Sequence, residues 1–443
     1  MTVDTDDQPS ADLIDFESEA DDFAAQVTTA LRALIGLDRP STSSDRRDLW
    51  RRHNLPSHIS SFLGRAHAIE PPPGETDDSR TKVRVVTEKG REWIRDPTLI
   101  LRAAEDASGY IAAINAALAQ FAREERLPVE DEREYILRSK KLWPKNLWPS
   151  LGSHLDRFRT ADSDLHRWVH HLRSSQAFAF NLFGPLAVGW PWARDTWRPV
   201  FGDVRRVEFE YPADRDPAGD DPLQERTPDR PHRTRVDVRV DHGAHETTLV
   251  EVKLTEQEFG GCSKAHDAGN PLRATCTTPD LALEEIANGC YLAQIAGRPY
   301  FRRLMEPASL ISASRLQAFS YDGCPLRGGL YQIARNLMMA QHVRTSGAAV
   351  RFAVVAPSAD LNPALHGHRS LRGYPDVLSF LRAVVHEKDQ DAIRIVDFAE
   401  VVAHARSLNP EADSWVDYMR RKYIEPLRRG AAARKSQLGS SRS

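Results

Sequence analysis

The sequence predicts a mixed α/β protein in which helices cover the faces of a central sheet. Apolar residues recur at helical spacing in 98–125 and 165–183. Other segments alternate polar and apolar side chains, or are apolar throughout, as strands do. These strand segments are 207–211, 234–241, 247–254 and 349–356. The order helix, strand, hairpin, helix, strand, followed by a strand and helix at 393–405, fits a mixed sheet flanked by helices.

The chain has 443 residues, which exceeds the usual size of a single core and predicts two or more folded units. Hydrophobic residues make up 41%, as in an ordinary globular protein. No run approaches the roughly 18 apolar residues of a membrane helix. The acidic N-terminus lacks the basic and apolar regions of a signal peptide. We therefore expect a cytoplasmic protein without a membrane partner.

Composition divides the chain into four regions. We expect a disordered acidic arm at 1–23 and a mostly helical N-terminal region at 24–160. The α/β core spans 161–360, with a mobile loop at 212–233 that is rich in Pro, Asp and Arg. Residues 361–443 form a helical C-terminal extension with a basic tail, which we expect to contact phosphates. Gly184-Pro185 is expected to end the helix at 165–183.

The two central strands form a hairpin around the loop at 242–246, where His242 and His245 are expected to be solvated. With the hairpin centred near residue 244, Asp237 lies across from Glu251, and strand alternation puts Lys253 on the same face. A one-residue slip would bury the charges and expose the valines, so the valines help to enforce this register. The hairpin thus predicts two carboxylates and one ammonium group in a single patch.

This patch suits phosphodiester hydrolysis. Carboxylates bind hard divalent ions such as Mg²⁺ or Mn²⁺, and the bound ion lowers the pKa of water and stabilises the oxyanions of the displacement. Asp237 and Glu251 are the candidate metal ligands, with the Val252 carbonyl as a third. Lys253 is the candidate to orient or deprotonate the attacking water, or to meet the phosphate charge. The alternative is a half-exposed strand pair whose charged side chains merely form salt bridges.

Asp237 followed by Glu251-Val252-Lys253 resembles the PD-(D/E)XK nuclease superfamily, although Val236 stands where the superfamily name has proline. Residues 174–181 resemble the first core helix of a bacterial group of restriction endonucleases within it, and 331–336 resemble that group's helix after the hairpin. The resemblance covers roughly 165–356. It implies a restriction-endonuclease-like fold and a Mg²⁺-dependent endonuclease that cuts DNA in bacterial restriction or anti-phage defence. Other proteins of a defence system and a second copy of the chain, as a homodimer, are the further partners considered.

The superfamily often has an additional upstream carboxylate, for which Glu208 and Glu210 are both candidates; a solvated strand face is the alternative. Gln176 occupies the region where relatives often have glutamate, and we expect it to contact phosphate or a metal-bound water. Gln332 and Asn336 lie one helical turn apart. They face either the site or a neighbouring helix.

Several alternatives stay open at this point. The enzyme could instead be a structure-specific or repair nuclease, or act on RNA, and a non-catalytic nucleic-acid-binding scaffold could keep the same fold. The cysteines Cys262, Cys276, Cys290 and Cys324 are expected to be reduced, mostly buried thiols. An iron–sulfur or zinc site at Cys262, Cys276 and Cys290 is the less favoured reading. The sequence has no P-loop, GxSxG or HExxH motif.

Overall fold

A computed structural model describes residues 66–70, 83–87, 92–95 and 97–440, and most side chains between 109 and 436. Its internal gaps are 159–164, 167, 213–222, 225–233, 244, 257–258, 266, 268, 279, 321–322, 328, 346, 364, 367–373 and 375. The chain divides into two compact units, 1–111 with 266–269 and 432–443, and 112–265 with 270–431. The predicted arm at 1–23 and nearly all of the predicted mobile loop at 212–233 lie outside the described residues.

The smaller unit contains an antiparallel sheet of three strands in sequential order. Its strands are β1 (Ala66–Glu70), β2 (Val83–Thr87) and β3 (Glu92–Arg95). The expectation of a mostly helical region at 24–160 missed this sheet, because its strands are short and the adjacent valines of β2 break the alternation that identifies a strand. Helix α1 (Pro97–Glu124) confirms the helix predicted from the apolar spacing at 98–125.

The larger unit is built on a five-stranded mixed sheet in the order β4-β5-β6-β7-β8. The strands are β4 (Val204–Pro212), β5 (Arg235–His242), β6 (Glu246–Val252), β7 (Ala349–Ala356) and β8 (Ile393–Asp397). The first three are antiparallel, and β7 and β8 run parallel to β6. Both faces of the central strand β6 are covered, since Leu249 and Val250 are each fully buried. The predicted mixed α/β sheet with helices on its faces is confirmed.

Twelve helices follow α1 among the described residues. They are α2 (Ser175–Val188), α3 (Pro191–Phe201), α4 (Arg273–Thr277), α5 (Leu283–Asn288), α6 (Tyr291–Gln294), α7 (Tyr300–Met305), α8 (Ala313–Gln317), α9 (Leu330–Thr345), α10 (Val377–Val384), α11 (Phe398–Leu408), α12 (Asp413–Met419) and α13 (Glu425–Ser440). Helix α2 packs on β4 and α9 packs on β7. Residues 361–443 also contribute β8, so this C-terminal stretch completes the core sheet. No described helix has the length and apolar character to cross a membrane.

Helix α2 begins later than expected. The segment 168–174 forms turns, and Ser174 caps the helix by accepting a hydrogen bond from the Ala177 N–H. The turns are held by the buried side chain of Asn146, whose Nδ2 donates to the carbonyls of Val169 and His171 at 2.8 and 2.7 Å. These tertiary hydrogen bonds replace the intrahelical ones, so the apolar spacing at 165–174 did not produce a helix.

The expectation that Gly184-Pro185 ends α2 was wrong, since the helix continues to Val188. Proline lacks the N–H that would bond the carbonyl four residues earlier, which belongs to Asn181. The indole Nε1 of Trp415 donates to that carbonyl at 2.8 Å instead. The helix therefore tolerates Pro185 because a side chain from a distant element satisfies the orphaned acceptor.

A buried lysine anchors the C-terminal segment. Lys422 lies in the π-helical turn Arg420–Ile424 and is fully buried. Its Nζ donates to the carbonyl of Asn146, to the Asn146 Oδ1 at 2.6 Å and to the Tyr418 Oη at 2.9 Å. Burial lowers the pKa of Lys422 well below its ordinary value. The oxygens that accept hydrogen bonds from this amino group in the described contacts are all uncharged: two belong to Asn146 and one to Tyr418.

Candidate active site

The hairpin register brings the predicted charges together. Strands β5 and β6 pair Val238 with Val250, and the same register continued by one residue puts Asp237 across from Glu251. The Oδ2 of Asp237 accepts a hydrogen bond from the backbone N–H of Val252 at 2.7 Å. Asp237 is thereby held against the end of β6, where Glu251 and Lys253 lie.

Glu251 lies at the centre of the cluster and is 1% exposed. Its Oε1 accepts from the Gln332 Nε2 at 2.6 Å and lies 2.9 Å from the Lys253 Nζ, while its Oε2 accepts from the Asn336 Nδ2 at 2.6 Å. Lys253 also donates to the Gln332 Oε1 at 2.8 Å. Of the two possibilities for Gln332 and Asn336, the structure shows the first: both amides of α9 face the site.

Glu210 joins the cluster from β4. The residues on either side of it, Phe209 and Tyr211, pair with the residues on either side of Asp237, so Glu210 lies beside that carboxylate. Glu210 has a φ of 50°, a left-handed conformation that residues with a side chain rarely adopt. Such a backbone costs about 1–3 kcal/mol and persists only where the surroundings enforce it.

Gln176, near the start of α2, positions Glu210. Its Nε2 donates to the Glu210 Oε1 at 2.6 Å, and its own Oε1 accepts from the backbone N–H of His166 at 2.9 Å. The amide therefore links the 165–174 segment to the carboxylate. Sequence reasoning had expected Gln176 to contact phosphate or a metal-bound water; in the structure its hydrogen bonds go to protein groups.

Glu208 has a different environment. It pairs with Arg206 at 2.5 Å and lies opposite Arg239 in the register of β4 and β5. Arg239 in turn pairs with Asp241 at 2.8 Å. A purely salt-bridged face, the alternative for this hairpin, accounts for the Glu251–Lys253 pair but not for Asp237, which bonds a backbone amide.

The cluster holds more negative than positive charge. Burial, and then the proximity of Glu251 and Glu210, raises the pKa of Asp237 well above its usual range. Burial also raises the pKa of Glu210, and Glu251 adds to this effect against the lowering by the Gln176 hydrogen bond. Burial alone would lower the pKa of Lys253, but neighbouring carboxylates, Glu251 foremost, raise it above the ordinary lysine value. A cation or protons must offset the excess charge.

The donor set can be compared with the needs of a divalent ion. Within the described residues, no group of three or more His, Cys, Asp and Glu side chains is arranged to hold a metal. Mg²⁺, however, is usually bound through one or two carboxylates and keeps several waters. Asp237 and Glu251 with the Val252 carbonyl provide a set of this kind, and burial together with the nearby Glu251 and Glu210 raises the pKa of Asp237 in spite of Lys253. The residues therefore fit a divalent ion held through two carboxylates.

A family model described as restriction endonuclease associating with ARP matches residues 113–424, which is more than half of the chain. The chain belongs to this restriction endonuclease family. No curated protein and no solved structure matches the chain significantly. The matched range contains the whole five-stranded sheet with α2 and α9. Every residue of the carboxylate cluster thus lies within the restriction endonuclease part of the chain.

No disulfide joins the four cysteines of this restriction endonuclease family member. Cys262, Cys276 and Cys324 are buried, Cys290 is half-buried, and the Cys324 N–H donates to the Cys276 carbonyl at 3.1 Å. Burial raises the pKa of each thiol, that of Cys276 to about 11. The cysteine side chains pack in the core beside the sheet.

One expectation outside the cluster needs correction. His242 was expected to be solvated, but β5 extends through it; it is 2% exposed and its Nε2 lies 2.9 Å from the Thr248 Oγ1. His245 is exposed, as expected.

Several cations of the basic C-terminal tail have partners within the chain, and contact of the tail with phosphates stays a prediction. Arg420 pairs with Asp417 and Glu425, and Lys422 is buried. Arg421 pairs with Glu124 and Glu125. These three cations thus have ion-pair or hydrogen-bond partners in or near the C-terminal helices.

Proposed function

We propose that this chain is a metal-dependent endonuclease that hydrolyses phosphodiester bonds in DNA by PD-(D/E)XK chemistry. One observation carries the proposal: Asp237, Glu251 and Lys253 converge from two adjacent strands in a buried cluster with excess negative charge. Membership of a restriction endonuclease family supports nuclease activity. The metal, the DNA substrate and the assignment of these residues are what the proposal adds.

Asp237, Glu251 and the Val252 carbonyl are the proposed ligands of Mg²⁺ or Mn²⁺. When bound there, the ion supplies charge neutralisation and lowers the pKa of a coordinated water. Neighbouring carboxylates raise the pKa of Lys253 and so favour its ammonium form. In that form it orients the attacking water or neutralises the phosphate by donating hydrogen bonds.

The residues around the cluster position its carboxylates. Gln332 and Asn336 donate to the two oxygens of Glu251 and so fix the plane of that carboxylate. Gln176 orients Glu210 in the same way. We assign Glu210 as the additional carboxylate and a further metal ligand, and leave Glu208 to its pair with Arg206.

The proposed setting is bacterial restriction or anti-phage defence. The description of the family names ARP as an associated component, and this supports a partner protein for the present chain as well. A nuclease of a defence system can require its partner for activity, so the assay below is run with and without that component.

Cleavage of supercoiled plasmid in Mg²⁺ or Mn²⁺, with a chelator as the blank, tests the proposal. We expect Asp237→Asn and Lys253→Met to reduce the cleavage rate by about a hundredfold or more, because each removes a charge that the reaction uses. Asp241→Asn is the matched control on the same strand, since Asp241 bonds Arg239 and Thr247 outside the cluster. It should cut like the unmodified chain.

Equal cleavage by all variants would show that the site lies elsewhere. Cleavage of RNA but not DNA would change the substrate and keep the site. If the unmodified chain cleaves neither DNA nor RNA, with the partner present and under either metal, the result would favour a nucleic-acid-binding scaffold.

A further inference from the structure

Trp168 presents an exposed aromatic ring on the turn that precedes helix α2. Three large hydrophobic side chains are exposed in the described part of the chain, namely Ile295, Leu408 and Trp168, and only the last is aromatic. Trp168 is 45% exposed. A single exposed apolar residue is common in proteins, so its surroundings decide whether it has a role.

Two histidines support the indole. The ring of His171 lies 4.9 Å from that of Trp168, and the His170 ring lies 4.8 Å from that of His171. Burial, followed by the nearby His170 and Arg173, lowers the pKa of His171 to about 4. The imidazole behind the indole is thus uncharged at neutral pH, and its ring is inclined to the indole by 51°.

The backbone that carries Trp168 is fixed. Asn146 donates to the carbonyls of Val169 and His171, and the Trp168 carbonyl accepts from the His171 N–H at 2.9 Å. A side chain on a rigid turn loses little conformational entropy when a ligand packs on it. The backbone beneath the exposed ring is therefore held in place.

The same turn is bonded to the carboxylate cluster. The N–H of His166, two residues before Trp168, donates to Gln176, and Gln176 donates to Glu210. On the other side, Lys140 donates to the carbonyl of Leu165 at 2.5 Å and adds an exposed positive charge. The segment that carries the indole is thus bonded through Gln176 to Glu210 of the cluster, and also to an exposed cation of the kind that suits phosphate.

We propose that Trp168 is a stacking platform for a nucleobase with an exposed face, next to the phosphodiester that the carboxylate cluster would bind. The inference rests on the proposed function and specifies its substrate. Bases inside a duplex are covered on both faces, so only a base in a single-stranded segment, or one flipped out of the helix, can stack on a side chain. The site therefore takes a strand with at least one unstacked base.

Binding to two fluorescent single strands tests this inference. One is a short oligothymidylate and the other is an abasic strand of the same length and charge, both measured by anisotropy in a chelator so that nothing is cut. We expect Trp168→Ala to weaken oligothymidylate binding about tenfold, as the loss of one stacked base does, and to leave abasic binding unchanged. Trp168→Phe should retain most of the affinity. Leu408→Ala is the matched exposed control and should match the unmodified chain.

Equal losses for both strands would show that Trp168 only shapes the turn, and no loss for either would exclude stacking; both results overturn the inference. Equal binding of the two strands by the unmodified chain overturns the inference as well. Thermal melting of Trp168→Phe and Trp168→Ala identifies any variant that fails to fold, and the phenylalanine variant then carries the comparison. Binding is measured without metal and is therefore independent of cleavage. If the chain cuts plasmid but substitution of Trp168 does not affect binding, this inference fails and the proposed function stands.

Discussion

At the scale of single residues, the raised pKa of Asp237 couples the ionisation of the site to the stability of the fold. Burial and two neighbouring carboxylates raise its pKa, so the folded chain binds a proton at Asp237 more tightly than the unfolded chain does. The folded state is therefore favoured at low pH, and this advantage is lost as pH rises through the folded-state pKa. Once ionised, the buried carboxylate destabilises the fold.

Asp237→Asn should consequently stabilise the chain at neutral pH in a chelator, by about 1–3 kcal/mol in the free energy of unfolding. Asparagine removes the charge and keeps an oxygen for the Val252 N–H. The gain should shrink as pH falls, because the wild-type carboxyl becomes neutral too. Urea unfolding across a pH series measures this. Asp241→Asn, which loses a pair with Arg239, should show no such gain. A destabilised Asp237→Asn at neutral pH would contradict the argument.

Residue-scale features also mark how far the sequence could predict the site. Alternation along two local strands was sufficient to place Asp237, Glu251 and Lys253 on one face. The choice between Glu208 and Glu210 was not predictable. It depends on the left-handed backbone at Glu210 and on the reach of Arg206, which only the folded chain shows.

At the scale of elements, α2 shows how a distant segment can preserve a helix. Pro185 leaves the Asn181 carbonyl without its intrahelical donor, and Trp415 of α12 supplies the missing hydrogen bond. The local sequence contains only the breaker and no sign of its compensation, and this is why the end of α2 could not be predicted. By contrast, β7 was predicted with the observed bounds because its signal, an apolar run interrupted only by Arg351, is local.

A double-mutant cycle tests this compensation. Trp415→Phe keeps the ring in the core but leaves the Asn181 carbonyl unsatisfied, which should cost about 1–3 kcal/mol of stability. In a Pro185→Ala background the restored N–H can bond that carbonyl, so the same substitution should cost less. Chemical denaturation of the four proteins gives the coupling energy. Additive effects would mean that the indole contributes packing only.

At the scale of the whole molecule, the candidate site exists only in the folded chain. Asn336 and Glu251 are 85 residues apart in sequence and meet through a 2.6 Å hydrogen bond. Strands β4, β5 and β6 and helices α2 and α9 all contribute side chains. A cation that binds this cluster binds the folded state and not the unfolded state, and must stabilise the larger unit as a whole.

Titration with Mg²⁺ or Mn²⁺ should therefore raise the melting temperature in a concentration-dependent way. The stabilisation is about 2.7 kcal/mol when the free ion is at a hundred times its dissociation constant. Asp237→Asn and Glu251→Gln should abolish the shift, and Asp241→Asn should keep it. Differential scanning fluorimetry measures all four chains. An equal shift in every chain would show that the ion binds outside the cluster.

The burial of Lys422 makes its amino group a natural reporter on opening of the chain. An acetylating reagent reaches Lys422 only while the turn Arg420–Ile424 has separated from Asn146, whereas the exposed Lys141 reacts at all times. The ratio of the two labelling rates, read by mass spectrometry, gives the fraction of time that this turn is detached. Acetylation of Lys422 thus measures how often the C-terminal helices detach at this turn, and the measurement needs no substitution.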